Sequence, residues 1–244
     1  MLAKGLAPAT CNRMVILLRF LFNLARKQWK LPGITHNPAS EVIQFKVNNQ
    51  QQTFLRPEQL SELLNATQQC QQNPFLPFII ALLALSGVRK RNILDAKWCE
   101  FDFTRQVWLI PETKSGKSQS IPLSTEMNEV LQQLPSQTES EFLFPSPITG
   151  KPFRSIYYSW NTARKKAGLS TVRIHDLRHT FASLLINRGH SLYVVQKALG
   201  HHSPNVTMRY AHLADETLRQ ANMDVGSLVK TGINQLLNPP KAIN

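Results

Sequence analysis

The chain has 244 residues, of which 42% are hydrophobic, and its 28 Lys and Arg residues against 15 Asp and Glu give a net charge of +13. This composition excludes wholesale disorder, and the length allows one substantial domain plus a smaller piece. The basic excess favours a polyanionic partner, either nucleic acid or an acidic membrane surface, although a basic protein without such a partner is the alternative.

The cysteines and the early apolar run further limit the kinds of protein and site that the sequence allows. Cys11, Cys70 and Cys99 are scattered and form no Cys-x-x-Cys pair. This argues against a structural zinc site or a disulfide framework and favours a reducing, cytoplasmic compartment. The apolar run 15–22 contains Arg19 and is much shorter than the roughly 20 residues that span a bilayer. We therefore expect no membrane role.

The first predicted element is an amphipathic helix from residue 8 to about residue 30, with Thr10 as the expected N-cap. Its apolar residues recur at helical spacing: Met14, Leu17, Leu18, Leu21, Phe22 and Ala25. The polar stretch 47–52 has no apolar periodicity and is interpreted as a linker. We therefore predict two parts, residues 1–48 and residues 49–244.

The larger part is predicted to be mainly helical. It opens with a helix at Pro57, which suits a first helical turn, and the strongly apolar segment 75–85 is expected to be central to the core. Residues 107–110 and 120–123 have strand character, with a turn at 115–116 between them. Helices are expected to resume near residues 125, 155, 177, 192 and 216. The predicted fold class is therefore mainly α with one small antiparallel β-sheet (α+β).

Residues 175–179 read His-Asp-Leu-Arg-His and contain the first of four candidate functional motifs. His175 and Arg178 are three residues apart, so both can point from one face at the start of a helix, where a phosphate also binds well. An isolated His-x-x-Arg pair is usually an ordinary surface pair. His175 and His179 also have the spacing of a zinc pair, but the sequence offers neither the Glu of His-Glu-x-x-His nor a third ligand.

The second motif is Leu199-Gly200-His201, which is followed nine residues later by Tyr210. The intervening Ser203-Pro204 breaks one helix and allows another to begin, so His201 and Tyr210 can face one site from successive short helices. The alternative for Tyr210 alone is an ordinary half-buried aromatic residue.

The remaining two motifs contribute cations. Arg89 comes directly after Gly87-Val88, where the apolar helix ends, and a turn there can hold a guanidinium rigidly against phosphate oxygens. Lys114 is expected on the hairpin turn, where a lysine is usually just solvated. Lys117 is a rival for any role that is assigned to Lys114.

In order and spacing, these four motifs together resemble the active-site set of the tyrosine recombinases, the phage integrase family. The resemblance covers roughly residues 53–215, and residues 10–38 look like the closing helix of the family's core-binding domain. It implies an integrase-like catalytic domain with a C-terminal tail at 49–244, and a remnant of a helical core-binding domain plus linker at 1–48. The implied catalytic residues are Arg89, Lys114, His175, Arg178, His201 and Tyr210.

The implied reaction is site-specific DNA recombination, as in the integration of a mobile element. Tyr210 would attack a DNA phosphodiester and form a 3′-phosphotyrosine. Arg89 and Arg178 would bind the non-bridging oxygens. Lys114 would protonate the leaving 5′-oxygen. His175 would take the tyrosine proton.

The resemblance also gives His201 a role, a hydrogen bond to the phosphate. Its implied partner is double-stranded DNA, bound by a protein that is a monomer in solution and a tetramer on synapsed DNA. Accessory DNA-bending proteins are compatible with this picture. The resemblance implies neither a metal nor another cofactor, because the phosphotyrosine conserves the bond energy.

The sequence departs from the family pattern in two places. Asn92 stands three residues after Arg89, where family members commonly carry Asp or Glu; it lacks the charge but can still accept a hydrogen bond from Arg89. The N-terminal piece is shorter than a core-binding domain, so the chain is expected to be part of a longer enzyme. The alternative functions are a type IB topoisomerase, which rejoins the same strand, and a non-catalytic DNA-binding regulator.

Overall fold

The computed structural model describes residues 5–47, 54–70, 73–111, 118–214, 218–220, 222–225 and 227–230. The chain divides into two compact units, Met1–Gln51 and Gln52–Asn244. Helices dominate the described residues and accompany one three-stranded antiparallel sheet, so the predicted fold class is confirmed. None of the helices in these ranges has the length and apolar character needed to cross a bilayer.

The first unit is built on helix α1, Pro8–Lys27. The predicted Thr10 cap is wrong, because the helix begins two residues earlier with Ala7 at the N-cap and Pro8 in the first turn. Proline fits there since its missing N–H would have no helical partner anyway. The backbone N–H of Thr10 instead donates to the Ala7 carbonyl at 2.9 Å, inside the first turn.

Polar side chains fasten the returning segment of this unit to α1. The Asn37 amide nitrogen donates to the Arg19 carbonyl at 2.9 Å, and its oxygen accepts from the Ala39 backbone N–H at 3.1 Å. The Arg19 guanidinium donates in turn to the carbonyls of Ala39 and Ser40. Six large apolar side chains along α1 are exposed: Met14, Ile16, Leu17, Leu18, Phe20 and Leu21.

The second unit contains the remaining helices and the sheet. The α-helices are α2 (Pro57–Gln68), α3 (Leu76–Ser86), α4 (Lys90–Asp95), α5 (Thr125–Gln132), α6 (Tyr157–Lys166), α7 (Asp176–Asn187), α8 (Leu192–Leu199) and α9 (Pro204–Thr207). The strands are β1 (Phe101–Asp102), β2 (Val107–Ile110) and β3 (Gln119–Pro122), and a 3₁₀ helix follows α9 at Met208–Ala214. Shorter 3₁₀ turns lie at Pro38–Ser40, Trp98–Glu100 and Pro135–Gln137.

The sheet contains the two strands that the sequence predicts, together with a short third strand, β1. Its strand order is β1-β2-β3, with Trp108 opposite Phe101 on one side and Ile121 on the other. Trp108 is buried and stacks on Phe101 with ring centroids 5.1 Å apart, whereas its neighbour Leu109 points to solvent. The predicted turn at Ser115 and Gly116 lies outside the described residues.

Helix α3 forms the centre of the main core, as its apolar sequence predicts. It packs against α2, α5 and α7, and Leu76, Ile79, Ile80 and Leu82 are each no more than 1% exposed. A helix that is apolar around its whole circumference needs neighbours on all sides. Each such side chain contributes about 1.5–3 kcal/mol on burial, so α3 is a rigid base for the turn that follows it.

A second, smaller cluster of buried side chains joins α7, α8 and the 3₁₀ helix at Met208–Ala214. It consists of Ala182, Ile186, Val195, Leu199 and Tyr210. Packing within this cluster therefore helps to hold Tyr210 in place.

Gly87 brings the end of α3 into close contact with α7. It has a left-handed φ of 62°, which favours glycine, and a Cβ at this position would collide with the ring of Phe181. The absence of a side chain therefore lets the Gly87 backbone approach α7 closely.

We expect Gly87→Ala to lower the free energy of unfolding by about 2–4 kcal/mol, from left-handed strain together with overpacking against Phe181. Gly189→Ala is the matched control, because Gly189 has a φ of 85° and a Cβ there would meet no atom within 4 Å. That variant should lose only about 1 kcal/mol. Equal losses in urea denaturation would mean that the Phe181 ring moves aside without cost.

Candidate active site

Arg178 lies at the base of the candidate site. It is in the first turns of α7 and is 5% exposed. Its Nη1 donates to the Gly87 carbonyl at 2.9 Å, and its Nη2 donates to the Leu199 carbonyl at 2.7 Å. One guanidinium therefore joins the end of α3, the start of α7 and the end of α8. Burial and the nearby Arg89 lower the pKa of Arg178 to about 10, which leaves it charged at neutral pH.

An open cleft of about 440 Å³ carries Arg89 and His201 in its wall. Arg89 is exposed and occupies the N-cap of α4, two residues after the left-handed Gly87. Lys197 contributes a further cation, and the remaining lining residues are Ser118, Gln119, Ser120, Gln196, Gly200 and His202. The cleft is rich in hydrogen-bond donors and positive charge, as a phosphodiester requires.

His201 is held at the cleft wall through both its ring and its backbone. It follows Gly200, which ends α8 in the left-handed conformation with φ 62°. Its Nδ1 lies 2.9 Å from the Thr207 hydroxyl, and its carbonyl accepts from the Gln196 amide at 3.1 Å. Burial, followed by the charges of Arg178 and Arg89, lowers the pKa of His201 to about 4. The imidazole is therefore neutral at pH 7 and offers one donor and one acceptor.

Gln119, which belongs to none of the four sequence motifs, connects the sheet to α8. Its amide nitrogen donates to the Ala198 carbonyl at 3.0 Å. The end of its side chain also occupies the space where a Cβ of residue 200 would lie, so a substitution at Gly200 would displace the Gln119 amide as well as strain the left-handed φ. The start of β3 is thereby fixed beside His201.

Tyr210 lies beside α7 on the 3₁₀ helix at Met208–Ala214 and is 5% exposed. Its hydroxyl is 2.6 Å from Nδ1 of His179, and the two ring centroids are 5.8 Å apart. Burial raises the pKa of Tyr210, while the charges of Arg209 and Arg178 oppose that rise. The phenol is therefore protonated at neutral pH and hydrogen-bonded to a histidine.

His175, the expected base, occupies the N-cap of α7, and among the described residues the histidine that bonds to the Tyr210 hydroxyl is His179. The His175 ring packs edge-on against the His179 ring, with centroids 5.0 Å apart. Burial and the charge of Arg178 lower the pKa of His175. His175 is thus electrostatically close to Arg178, and His179 lies between it and the phenol. Within the described ranges, no group of three or more His, Cys, Asp or Glu residues could hold a metal ion.

Two sequence-based expectations concern the lysine and Asn92. Lys114 and its rival Lys117 lie outside the described residues, so their placement stays a prediction. In the described part of the chain the Asn92 amide nitrogen is buried without a hydrogen-bond partner, and its backbone N–H bonds to the Arg89 carbonyl at 2.9 Å. The expected side-chain hydrogen bond from Arg89 is not formed among these residues.

Comparison with known proteins gives one family. Residues 53–217 match the sequence profile of the phage integrase family. The integrase of Salmonella phage P22 is 28% identical over 94% of this chain, and the shufflon-specific DNA recombinase of Escherichia coli is 30% identical over 86%. The matches span 60% and 52% of those two relatives, so this chain corresponds to little more than half of each.

Solved structures give the same fold. The catalytic domain of bacteriophage HP1 integrase is similar with a TM-score of 0.55 and 26% identity, over 78% of this chain and 99% of that domain. The Tn1549 transposon integrase in complex with transposon right end DNA is similar with a TM-score of 0.72 and 22% identity, over 92% of this chain and 81% of the other. The second likeness concerns the fold alone.

The depressed histidine pKa values predict a pH dependence of stability. His179 and His201 titrate near 4 in the folded protein against an ordinary value of 6.5. Between those values the unfolded chain binds protons that the folded protein does not. The free energy of unfolding should therefore be constant above about pH 6.5 and fall as the pH drops towards 4.

This pH slope can be measured by urea denaturation across the same window. His179→Asn and His201→Asn should each flatten the slope relative to the parent protein, whatever they do to the absolute stability. The exposed His190 provides the control, and His190→Asn should leave the slope unchanged. If both of these variants keep the parental pH slope, groups other than His179 and His201 cause it.

Proposed function

The chain belongs to the phage integrase family, and on that basis we propose that it is a tyrosine-type DNA recombinase. It cleaves DNA through a 3′-phosphotyrosine intermediate and rejoins the end to another strand, in the integration or excision of a mobile element. The complete recombination reaction is part of this proposal, because the chain matches only part of the length of its relatives.

The convergence of distant segments on one basic cleft carries the proposal. Arg89, Arg178 and Tyr210 come from three separate stretches of the chain. Packing of α3, α7 and α8 brings Arg89 and Tyr210 close enough to Arg178 to affect its pKa, and the charge of Arg178 opposes the rise in the pKa of Tyr210. A phosphodiester in this cleft would meet Arg89 and the neutral His201 in its wall, next to the buried Arg178. These are the donors that stabilise the charge of a pentacoordinate phosphorus.

The reaction divides among these groups as follows. The Tyr210 oxygen attacks phosphorus while the bond from phosphorus to the 5′-oxygen breaks, and the phenolic proton passes to a neighbouring base. Arg89 and Arg178 hold the non-bridging oxygens. Lys114 delivers a proton to the departing 5′-oxygen.

The supporting groups act on the same phosphate. His201 donates a hydrogen bond to it, and His175, next to Arg178, is in reach of the same anion in this scheme. Strand exchange is the reverse step, in which a 5′-hydroxyl of another strand displaces Tyr210. The phosphotyrosine conserves the bond energy, so the scheme uses neither ATP nor a metal.

Double-stranded DNA in the cytoplasm is the proposed partner, which the net charge of +13 favours. We further propose a monomer in solution and a tetramer on synapsed DNA, with accessory DNA-bending proteins acting on the DNA. Residues 1–48 would be the end of a helical core-binding domain plus linker, and 49–244 the catalytic domain. The exposed apolar residues along α1 support that assignment, because one helix of a bundle presents such a face.

Tyr210→Phe should abolish covalent adduct formation and leave DNA affinity nearly unchanged, because the ring keeps its packing while the nucleophilic oxygen is lost. The assay uses nicked suicide duplexes with randomised sequence around the nick and detects protein-linked DNA after denaturation. Tyr193→Phe is the control, since Tyr193 is an exposed tyrosine on α8. A phosphotyrosine adduct formed by the Tyr210 variant would remove this residue from its role.

A second assay then separates the classes of enzyme. Duplexes that the first assay selects are joined in pairs, and exchange of flanking DNA between two sites is scored. Exchange supports a recombinase, whereas relaxation of supercoiled DNA without exchange would indicate an enzyme that reseals the same strand.

Lys114→Ala should slow cleavage by about 10²-fold or more, as expected for loss of a general acid. A substrate with sulfur in place of the bridging 5′-oxygen should restore the rate, because a thiolate leaves without a proton. Lys117→Ala is the matched comparison. Its cleavage rate relative to the parent protein should be the same on the oxygen substrate and on the sulfur substrate. If the sulfur substrate restores the rate of Lys117→Ala and not that of Lys114→Ala, the general acid is Lys117.

A further inference from the structure

His179 is a histidine that contacts the hydroxyl of the candidate nucleophile, to which the Arg209 side chain is also hydrogen-bonded. It follows Arg178 on α7 and is partly buried, and its Nδ1 lies 2.6 Å from the Tyr210 hydroxyl. A distance this short is at the lower end of the range for hydrogen bonds between nitrogen and oxygen. In the tautomer of the neutral imidazole that carries its proton on Nε2, Nδ1 is the acceptor and the Tyr210 hydroxyl donates to it.

The surroundings of His179 keep its imidazole neutral. Burial lowers its pKa to about 4, and His175 and Arg209 act in the same direction. Asp176 opposes them, and Arg173 at the start of α7 adds a smaller lowering effect. A DNA phosphate bound near Arg178 and Arg209 would add negative charge to this group of cations. That charge raises the pKa of His179 towards the range in which a histidine exchanges protons efficiently.

We propose that His179 is the general base that accepts the Tyr210 proton during DNA cleavage, an inference that rests on the function proposed above. As the tyrosine oxygen forms its bond to phosphorus, its proton moves to Nδ1 and His179 becomes an imidazolium. The bond from phosphorus to the 5′-oxygen breaks, and that oxygen takes its proton from the general acid. In the rejoining step His179 returns its proton to the departing Tyr210 oxygen.

This assignment transfers to His179 the role that the sequence pattern suggested for His175. The two histidines are one helical turn apart, so both face the same side of α7. Only His179 has its ring nitrogen within hydrogen-bond distance of the phenol, among the contacts of the described residues. His175, at the exposed start of α7 beside Arg178, remains a phosphate ligand.

Chemical rescue tests the proposal. His179→Ala should form the covalent adduct on a nicked suicide duplex about 10²-fold more slowly than the parent protein, the usual loss for a missing base. Added imidazole should restore much of the rate in proportion to its unprotonated form. His190→Ala is the control, since His190 is exposed, and it should keep the parental rate with no response to imidazole.

His179→Asn tests whether His179 accepts the proton or only positions the Tyr210 hydroxyl. It also provides a second variant in case His179→Ala does not fold. Asparagine places an amide oxygen near the position of Nδ1, so it can keep the hydrogen bond to Tyr210 but cannot take the proton. For the parent protein the rate should rise with pH as His179 loses its proton in the DNA complex and then level off. The Asn variant should lack this step and climb only towards the alkaline range where the phenol itself ionises.

The outcomes distinguish this proposal from the function on which it rests. If the parent protein forms no adduct on any duplex of the pool, the recombinase assignment fails and His179 has no reaction to serve. If the parent forms the adduct and His179→Asn has the same rate and pH profile, only the role of His179 is overturned. A faster reaction in both variants would also overturn it, because His179 would then restrain the nucleophile.

Discussion

A buried positive charge whose hydrogen bonds go to backbone carbonyls is the constraint around which the second unit is arranged. Among the described residues, Arg178 donates to the carbonyls of Gly87 and Leu199, which pair with two of its N–H groups but cannot neutralise its charge. Burying an uncompensated charge costs free energy, and the lowered pKa of Arg178 reflects that cost. An anion in the cleft would offset the free-energy cost of the buried Arg178 charge. Part of the favourable free energy of phosphate binding would therefore come from the relief of this cost.

Burial and nearby cations together explain why the surrounding histidines are neutral. Burial is the largest cause of the low pKa values of His201 and His179; the charges of Arg178, Arg89 and Arg209 add to it at His201, and His175 and Arg209 add to it at His179. Neutral imidazoles supply acceptors as well as donors at pH 7. The site therefore combines fixed cations that can hold an anion with neutral groups that can exchange protons.

The sequence predicted those features that depend on local pattern. The apolar run of α3 and the strand character of residues 107–110 and 120–123 predicted the observed core helix and two strands of the sheet. Thr10 was a wrong cap because Pro8 competes for the first turn. The partners of Arg178 could not be foreseen, since both are backbone carbonyls that only tertiary packing brings near. His175 and His179 share a helix face by spacing alone, but the choice between them depends on where Tyr210, 31 residues after His179, docks on α7.

Tyr210 belongs to the small hydrophobic cluster of α7 and α8, separate from the large core around α3. Sub-global opening of a protein follows such divisions, and a small cluster yields at a lower free energy than a large one. Transient release of the 3₁₀ helix that carries Tyr210 would thus leave the α3 core closed. Amide hydrogens of residues 208–214 would exchange by local fluctuation while those of α3 exchange only on global unfolding, so the protein can release the Tyr210 segment at the cost of a minor part of its stability.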